Sequence, residues 1–415
     1  MGKVLFMFTN DYPYGTGETF IENEILVSSK IYKKVYICVM NIQRENALMR
    51  EIPQNVEVIT LSKHGKFYKA FSTVAHIVTG IFLGDLFAEW KKCRTLGEFQ
   101  KSIIFYNAVM ERYAQLKKHE FILEENRIDF YCYWFLESVY VADLLKKVIS
   151  PDSVLITRAH GYDLYTERTS FNYFPFRKQL LRKVNRVCPC SLAGEQYLKN
   201  KYPNFSNKIV CSYLGTKDSM PQPAEKEKDS FIIVTCSNII PLKRVIRVAE
   251  TLALIEQENS RLKIEWYCFG DGELRHDIEE YCKKNLRKIK AFFMGQTANE
   301  DILEFYKSQN VDLFINVSET EGLPVSIMEA ASFGIPAIAT EVGGSPEIVL
   351  DGVTGYLIDK DFTNDELKTS ILRYANMPFN KKRTMKKNTR EYWKKNFSAD
   401  NNYPKFFQQY DELSE

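Results

Sequence analysis

Short runs of β-branched and aromatic residues recur along this chain, and helical patterns separate them. In the first half the runs read KVLFMF, KVYICVM, VEVITL, IDFYCYWF, SVLITRAH and RVCPCS. In the second half they read FIIVTCS, KIEWYCFG, KAFFMG, VDLFINVS, IPAIAT and TGYLI. Strands that alternate with helices form parallel sheets covered by helices. The alternation therefore predicts an α/β protein with two doubly wound sheets.

A polar segment separates the two sets of runs. The stretch GTKDSMPQPAEKEKDS at 215–230 has two prolines and no hydrophobic periodicity, which is typical of a linker. We predict an N-terminal Rossmann-like, acceptor-binding domain at 1–215, a linker at 216–229 and a C-terminal Rossmann-like, donor-binding domain at 230–395. The tail at 396–415 has apolar residues at helical spacing, and we expect it to form a helix that packs back on the first domain.

Composition excludes several classes of protein. Hydrophobic residues make up 45% of the 415, enough to bury two cores, and no apolar stretch of about 18 residues is present to span a membrane. The early run VLFMF is too short for a signal peptide. The nine cysteines are scattered without a C-x-x-C spacing, so we expect free thiols in a reducing cytoplasm and no metal site.

The net charge of +3 is unevenly distributed. Residues 1–225 hold 30 lysines and arginines against 23 aspartates and glutamates, a net of +7, and residues 226–415 carry a net of −4. A mildly basic first half fits an anionic partner, either a phosphorylated substrate or a membrane face, and fits an ordinary solvated surface equally well. No basic stripe with interleaved aromatic residues stands out, which disfavours nucleic acid.

A glutamate-rich segment follows the run VDLFINVS. Glu321 lies in the loop before a predicted helix, which begins near Pro324 and ends before Gly334, and Glu329 lies near its middle. The next run also ends in a loop that opens a helix, with Ser345 as the predicted cap. Carboxylates repel phosphate and accept hydrogen bonds from hydroxyl groups, so these glutamates predict a ligand with vicinal hydroxyls, such as a sugar or a ribose.

Cations suited to phosphate follow a different strand. The run FIIVTCS leads into NIIPLKRV, which places Lys243 and Arg244 at the start of the next helix. A helix N-terminus beside a lysine is a natural anion site. Together the acidic loop and this basic turn predict a nucleotide diphosphate sugar as the ligand. Each of these residues alone is common on protein surfaces, so the prediction depends on their joint placement at strand ends.

The segment SETEGLPVSIMEAASFGIPAIATEVGGSPEIVLDGVTGYLI resembles the donor-site signature of retaining GT-B glycosyltransferases of family four, and Glu321 and Glu329 form its E-x7-E pair. NIIPLKRV resembles the family's phosphate-binding segment, and WYCFGDGELR and FFMGQTANEDILEFY resemble the segments that follow. In the first half PYGTGETFIENEI, RAHGYDLY and CSYLGT are similar to it as well. The resemblance implies the GT-B fold, with two Rossmann-like domains that face each other across a cleft and a C-terminal helix that crosses back to the first.

The resemblance implies a role for each matching residue. Glu329 would bind the ribose hydroxyls, and Glu321, His160 and Lys243 would be the catalytic residues, with Glu321 on the donor sugar and Lys243 on the pyrophosphate. Asp163 would lie on the acceptor side, near His160. The other donor-binding residues that it implies are Gly15, Gly17, Asn238, Arg244, Gly270, Gly322, Leu323, Pro324, Val325, Gly343 and Gly344.

The chain also departs from the family pattern. Ser237 and Asn238 stand where many members carry Gly-Arg, and Arg244 stands where glycine is common. Either Lys243 and Arg244 share the phosphates, or the phosphate contacts differ. A lone histidine such as His160 is more often a packed or capping residue, but its place at a strand end indicates the active site.

The reaction implied by the resemblance is a retaining transfer from a UDP-sugar to an acceptor hydroxyl, in cell-surface polysaccharide or glycoconjugate assembly. It implies front-face attack without a metal or other cofactor, and a glycan, a lipid-linked sugar or a protein as the acceptor. A non-catalytic nucleotide-sugar-binding scaffold of the same fold is the alternative. An NAD enzyme is disfavoured because no G-x-G-x-x-G follows the first strand.

An apolar and aromatic segment with basic flanks, KFYKAFSTVAHIVTGIFLGDLFAEWKKCR, begins at Lys66. The region 66–105 is either a helical surface that contacts a membrane holding a lipid-linked sugar, or an ordinary pair of core helices. We therefore expect a cytoplasmic protein, and the first alternative adds peripheral contact with the inner face of the cell membrane.

Overall fold

The computed structural model describes residues 2–15, 17–41, 49–61, 83–121, 127–218, 230–258 and 262–414. The chain divides into two compact units, the first made of Met1–Ser212 with Tyr403–Glu415 and the second of Tyr213–Asn402. Most of the predicted linker lies outside the described residues, and so does the part of the predicted membrane-contacting segment that precedes Leu83.

The first unit contains a parallel sheet of six strands. They are β1 (Lys3–Thr9), β2 (Lys34–Val39), β3 (Val56–Ile59), β4 (Arg127–Cys132), β5 (Val154–Ala159) and β6 (Arg186–Pro189). The spatial order is β3-β2-β1-β4-β5-β6. In register, Val4 of the central strand lies between Lys34 and Ile128. Each run predicted in the first half of the chain therefore forms a strand.

The second unit repeats this architecture. Its strands are β7 (Phe231–Cys236), β8 (Ile264–Phe269), β9 (Lys290–Gly295), β10 (Leu313–Asn316), β11 (Ala337–Thr340) and β12 (Gly355–Ile358). Their order is β12-β11-β10-β7-β8-β9, which is the order of the first sheet when counted from β7. The direction of winding reverses between β1 and β4 and between β7 and β10. Ligands of open α/β sheets bind at such a reversal, outside the carboxyl ends of the strands.

Helices connect the strands. In the first unit they span Ile21–Ile31, Leu83–Trp90, Leu96–Leu116, Glu137–Ile149, Arg177–Lys183 and Leu192–Lys201, with 3-10 turns at Thr166–Arg168, Ser170–Asn172 and Pro203–Lys208. In the second unit they span Val245–Gln257, Arg275–Asn285, Asn299–Ser308, Val325–Ser332, Ser345–Ile348, Asn364–Ala375 and Phe379–Asn396, with a 3-10 turn at Pro241–Lys243. The last helix of the chain is Ala399–Ser414. Among the described helices, none has both the length and the apolar composition needed to cross a bilayer.

Each unit has its own hydrophobic core. Strand residues such as Phe6 and Phe130 form the first core with residues of the flanking helices, and Trp266 and Ile315 form the second in the same way. All nine cysteines are free thiols, as predicted. The prediction of two doubly wound parallel sheets is confirmed by this architecture.

The end of the chain packs on the first sheet. The Tyr410 hydroxyl donates a hydrogen bond to the Phe130 carbonyl at 2.9 Å, and the Phe406 ring lies 4.9 Å from the Tyr131 ring. The returning segment begins at Tyr403, whereas the tail was predicted from 396.

Two backbone hydrogen bonds within the second unit account for this later start. The backbone N–H of Thr216 donates to the Phe397 carbonyl at 2.9 Å, and that of Ala399 donates to the Thr216 carbonyl at 3.0 Å. These two bonds hold the chain at 397–399 beside the start of the second unit, so the segment joins the first unit only after them.

Candidate active site

The acidic loop predicted from the sequence follows β10, at the reversal of the second sheet. Glu321 in this loop is 8% exposed. Its Oε1 accepts one hydrogen bond from the Lys243 Nζ, at 2.7 Å, and another from the Asn316 Nδ2, at 3.2 Å. The structure therefore brings the predicted lysine, which follows β7, together with the predicted glutamate.

A small cavity, with room for about one water molecule, lies where these two strands end. The residues that line it come from the carboxyl ends of β7 and β10, from the loops that follow them and from the start of the helix Val245–Gln257. They include Cys236, Ser237, Lys243, Asn316 and Ser318. Its position is the one that the strand order alone would assign to a ligand.

Arg244 donates hydrogen bonds to the backbone of the acidic loop. Its Nε donates to the Val317 carbonyl at 2.8 Å, and its Nη2 donates to the Ser318 carbonyl at 3.0 Å. A third bond, from Nη1 to the Lys360 carbonyl, is 2.8 Å long. The guanidinium group thus donates to three backbone carbonyls, and its predicted share in phosphate binding stays a prediction. Lys243 is the cation of this pair that reaches Glu321.

The predicted amide groups lie at the start of the helix Val325–Ser332. Pro324 is the N-cap residue of this helix, and Leu323 before it is 7% exposed. The first amides of a helix have no partner within the helix. Val325 is the first helical residue, so its N–H has no acceptor within the helix. The predicted contacts of the Gly322, Leu323 and Val325 amides with the donor stay predictions.

Two glycines after β11 hold the neighbouring loop against the acidic loop. Gly343 has φ +53°, and a Cβ at this position would lie 2.1 Å from the Glu321 carbonyl oxygen. The Gly344 N–H donates to the Gly322 carbonyl at 2.7 Å. The first contact explains why the chain has a glycine at position 343, and the second is a hydrogen bond that holds the two loops together.

Ser345 does not cap the helix that it opens, so this prediction was wrong. Gly344 is the N-cap residue, and the buried Ser345 Oγ has no hydrogen-bond partner. A capping side chain must belong to a residue with non-helical backbone angles. Ser345 is already the first helical residue.

Gly270 plays the same part between β7 and β8. Its φ is +124°, and a Cβ would lie 1.9 Å from the Ser237 carbonyl oxygen. The Ser237 N–H donates to the Phe269 carbonyl at 3.1 Å. Asn238 follows in this turn and is exposed. The predicted glycine thus permits close approach of two turns at the strand ends.

Glu329 lies on the helix Val325–Ser332 and is half-buried. Burial raises the pKa of Glu329 to about 7, and a hydrogen bond from the Asn299 Nδ2, 2.8 Å from Oε1, acts in the opposite direction. Both protonation states are therefore populated near neutral pH. Sequence reasoning missed Asn299, because an asparagine at the start of a helix is fully explained as a capping residue.

His160 follows β5 in the first unit and is packed among aromatic rings. Its ring centroid lies 4.6 Å from that of Tyr133 and 4.5 Å from that of Trp134. The residue is 9% exposed, and neither ring nitrogen has a hydrogen-bond partner. Buried polar atoms are nearly always paired in folded proteins. The His160 Nδ1 lies 3.8 Å from the Asp163 Oδ2, too far for a hydrogen bond, and the predicted active-site role of His160 stays a prediction.

Asp163 supports His160 and has no exposed surface. Its Oδ1 accepts a hydrogen bond from the backbone N–H of His160 at 2.7 Å, and its Oδ2 accepts one from the backbone N–H of Phe135 at 2.9 Å. The carboxylate therefore ties together the chain segments that follow β4 and β5. The predicted acceptor-side position of Asp163 stays a prediction.

Gly15 and Gly17 lie in the loop after β1. Gly15 has φ +67°, and a Cβ at either glycine would meet no atom within 4 Å. The Arg50 Nη2 donates to both carbonyls, at 2.8 and 2.9 Å. The predicted glycines thus leave open space beside this loop, and Arg50 fixes its path.

Glu18 organises the same loop and was missed by sequence reasoning. Its Oε2 accepts the N–H groups of Asp11 and Tyr12, at 2.7 and 2.6 Å, and its Oε1 accepts the Asn10 N–H at 3.1 Å. The Trp134 indole N–H also donates to Oε1. The residue is 8% exposed. The signal in the sequence was a glutamate directly after the glycine loop, which by itself reads as an exposed helix-start acid.

Comparison with known proteins shows which family and which folds this chain is similar to. Residues 216–392 match the family model described as glycosyl transferases group 1. The chain is 27% identical over 297 residues to an uncharacterized glycosyltransferase of Methanocaldococcus jannaschii, a match that covers 71% of this chain and 78% of that protein.

Two further matches are more distant or shorter. The chain is 28% identical over 133 residues to the UDP-Gal:alpha-D-GlcNAc-diphosphoundecaprenol alpha-1,3-galactosyltransferase of Escherichia coli, with 32% of this chain and 34% of that protein covered. The crystal structure of Anabaena HepE in complex with UDP and glucose superposes with a TM-score of 0.63 at 16% identity, and 99% of each chain is covered.

Proposed function

We propose that this chain transfers a sugar from a UDP-sugar to an acceptor hydroxyl with retention of anomeric configuration. The premise is that the chain is a GT-B glycosyltransferase, whose residues 216–392 match the glycosyl transferases group 1 family. The observation that carries this proposal is the bonded pair of Lys243 and Glu321 at the reversal of the second sheet. A cation beside a carboxylate matches a donor in which a diphosphate adjoins a sugar.

Each charged group acts on a different part of the donor. Lys243 stabilises the negative charge that grows on the diphosphate as the glycosidic bond breaks, and Glu321 accepts a hydrogen bond from the sugar. Glu329 accepts hydrogen bonds from the ribose. In front-face attack the leaving phosphate oxygen takes the proton of the acceptor hydroxyl. Catalysis then depends on preorganised charge and on positioning.

Two comparisons support a UDP-sugar as the donor. The Escherichia coli relative is named for UDP-Gal, and the Anabaena structure was solved with UDP and glucose. The name of the former also supports a lipid-linked glycan as the acceptor.

The surface of the first unit supports peripheral contact with the cytoplasmic membrane face. Phe87 and Trp90 on the helix Leu83–Trp90 are 52% and 54% exposed. The Lys91 Nζ lies 4.5 Å from the Phe87 ring centroid. Aromatic side chains flanked by cations are typical of surfaces that bind anionic lipid headgroups.

An assay of nucleotide release tests this function. The purified chain is incubated with UDP-glucose, UDP-galactose and UDP-N-acetylglucosamine, with and without a lipid extract as a source of acceptors, and free UDP is measured. We expect release with one of these donors, stimulated by the extract, and NMR of the product should show retained configuration. UDP binding without turnover on any donor would favour the non-catalytic scaffold, and an inverted product would contradict the retaining mechanism.

A further inference from the structure

Asn316 ends an otherwise apolar strand. The strand β10 reads Leu-Phe-Ile-Asn, and all four residues are buried, Asn316 with 7% of its surface exposed. A buried amide destabilises the fold unless its donors and acceptor are paired. The contacts of Asn316 therefore show what this position requires.

The backbone determines which way this amide points. The Ser318 N–H donates to the Asn316 Oδ1 at 3.1 Å. Because a backbone N–H can only donate, the atom that faces it must be the oxygen. The Nδ2 consequently faces Glu321, whose Oε1 lies 3.2 Å away. One side chain thus fixes both the loop backbone and the carboxylate.

Lys243 donates to the same carboxylate oxygen, but the two donors differ. The lysine side chain is 21% exposed and carries a charge that a diphosphate attracts. The amide is short, buried and neutral, so an incoming donor substrate does not draw it away. We infer that Asn316 is a positioning residue, which keeps Glu321 oriented for the donor sugar while Lys243 turns to the diphosphate. This inference rests on the proposed function.

Three substitutions separate this role from general damage to the loop. Asn316→Asp keeps an oxygen for the Ser318 N–H and replaces the donor to Glu321 by a second carboxylate. Asn316→Leu removes both contacts. The control is Thr340→Val, because the buried Thr340 Oγ1 donates to the Ser318 carbonyl at 2.6 Å and so supports the same loop.

Kinetics and binding give the first readout. With UDP-N-acetylglucosamine, UDP-glucose and UDP-galactose as donors, Asn316→Asp should lower kcat at least about tenfold and leave the Kd for UDP within about twofold. The acidic limb of its pH–rate profile should move to higher pH, because two adjacent carboxylates retain a proton longer. Thr340→Val should leave that limb in place. Wild-type kinetics for Asn316→Asp, or the same shifted limb for Thr340→Val, would overturn the assignment.

Thermal unfolding gives a readout that needs no ligand. In a cycle of Asn316→Asp, Glu321→Gln and the double variant, the glutamine amide can donate to the introduced carboxylate. The double variant should therefore regain at least about half of the Tm lost by Asn316→Asp alone. Additive losses would show that the two side chains do not bond, and would overturn the inference. Coupling without turnover on any UDP-sugar would instead contradict the proposed function.

Discussion

In the proposed function, Lys243 is the single residue whose charge contributes most directly to catalysis. It ends the turn Pro241–Lys243 after β7, and its ammonium group is bonded to Glu321 at 2.7 Å. A bound diphosphate competes for this ammonium group. The contact between Lys243 and the diphosphate is then stronger in the transition state than in the ground state, because negative charge grows on the diphosphate as the glycosidic bond breaks.

We therefore expect Lys243→Ala to lower kcat/KM for the donor by about 10²–10³-fold, the usual effect of removing one preorganised charge-stabilising group. The matched control is Lys360→Ala. Its Nζ lies 3.7 Å from the Glu319 Oε1 in an ion pair whose side chains are half exposed, next to the same loop. Steady-state release of UDP measures both variants. Equal activities would remove Lys243 from the site.

The proposed ribose contact of Glu329 predicts that nucleotide binding depends on pH. Its pKa of about 7 comes from burial, and only the ionised form accepts hydrogen bonds from ribose hydroxyls with both oxygens. Since the acid form dominates below pH 7, affinity for UDP should rise from pH 6 to pH 8, by up to about tenfold.

Calorimetry with UDP at several pH values measures this dependence. Glu329→Gln provides the control, because the UDP phosphates titrate equally with both proteins and only the difference between the two profiles belongs to the carboxyl group. The variant should bind more weakly at pH 8 and lose the part of the pH dependence that belongs to the carboxyl group. A wild-type profile identical to that of Glu329→Gln would contradict the ribose role.

At the scale of elements, the sequence predicted what depends on local pattern. The strand runs are short, apolar and rich in β-branched residues, and each became a strand. Pro324 and Gly334 marked the ends of one helix correctly, and Gly334 has the expected positive φ of +75°. The partners of Arg244, which are the carbonyls of Val317 and Ser318, were not predictable, because they depend on which loops become neighbours when distant strands pair.

Loop packing at Gly343 gives a prediction at this scale. Gly343→Ala places a Cβ on the Glu321 carbonyl, whereas Gly352→Ala, at a similar φ of +72°, meets nothing within 4 Å. The left-handed backbone costs both variants about 1–2 kcal/mol of stability. Gly343→Ala should lose more, and its kcat should fall, while Gly352→Ala keeps its kcat. Denaturant unfolding and UDP release measure this difference. Equal losses in both variants would mean that the loop contact is unimportant.

At the scale of the whole molecule, one strand order occurs twice. Alternation of strands and helices predicted the class of fold and two Rossmann-like halves, and the structure adds the order that puts β7 beside β10. This neighbourhood decides which loops form the candidate site, and it arises from the pairing of Leu313 with Ile233, which are far apart in sequence. The resemblance to a family supplied the site residues because local pattern alone does not encode such pairs. The predicted cleft between the two halves stays a prediction.

Metal independence is a prediction for the whole enzyme, and it follows from the proposed division of charge. The diphosphate must be balanced by cations in the transition state, and in this proposal Lys243 and the amides that precede and open the helix Val325–Ser332 supply that balance. UDP release should therefore stay within about twofold of its normal rate in excess EDTA, compared with an equal concentration of Mg-EDTA as the ionic control. Added Mg²⁺ should raise the activity of Lys243→Ala more than that of the wild type, because an ion can replace the missing charge. Complete loss of wild-type activity in EDTA, restored by Mg²⁺ or Mn²⁺, would mean that a metal ion and not the lysine carries the diphosphate charge.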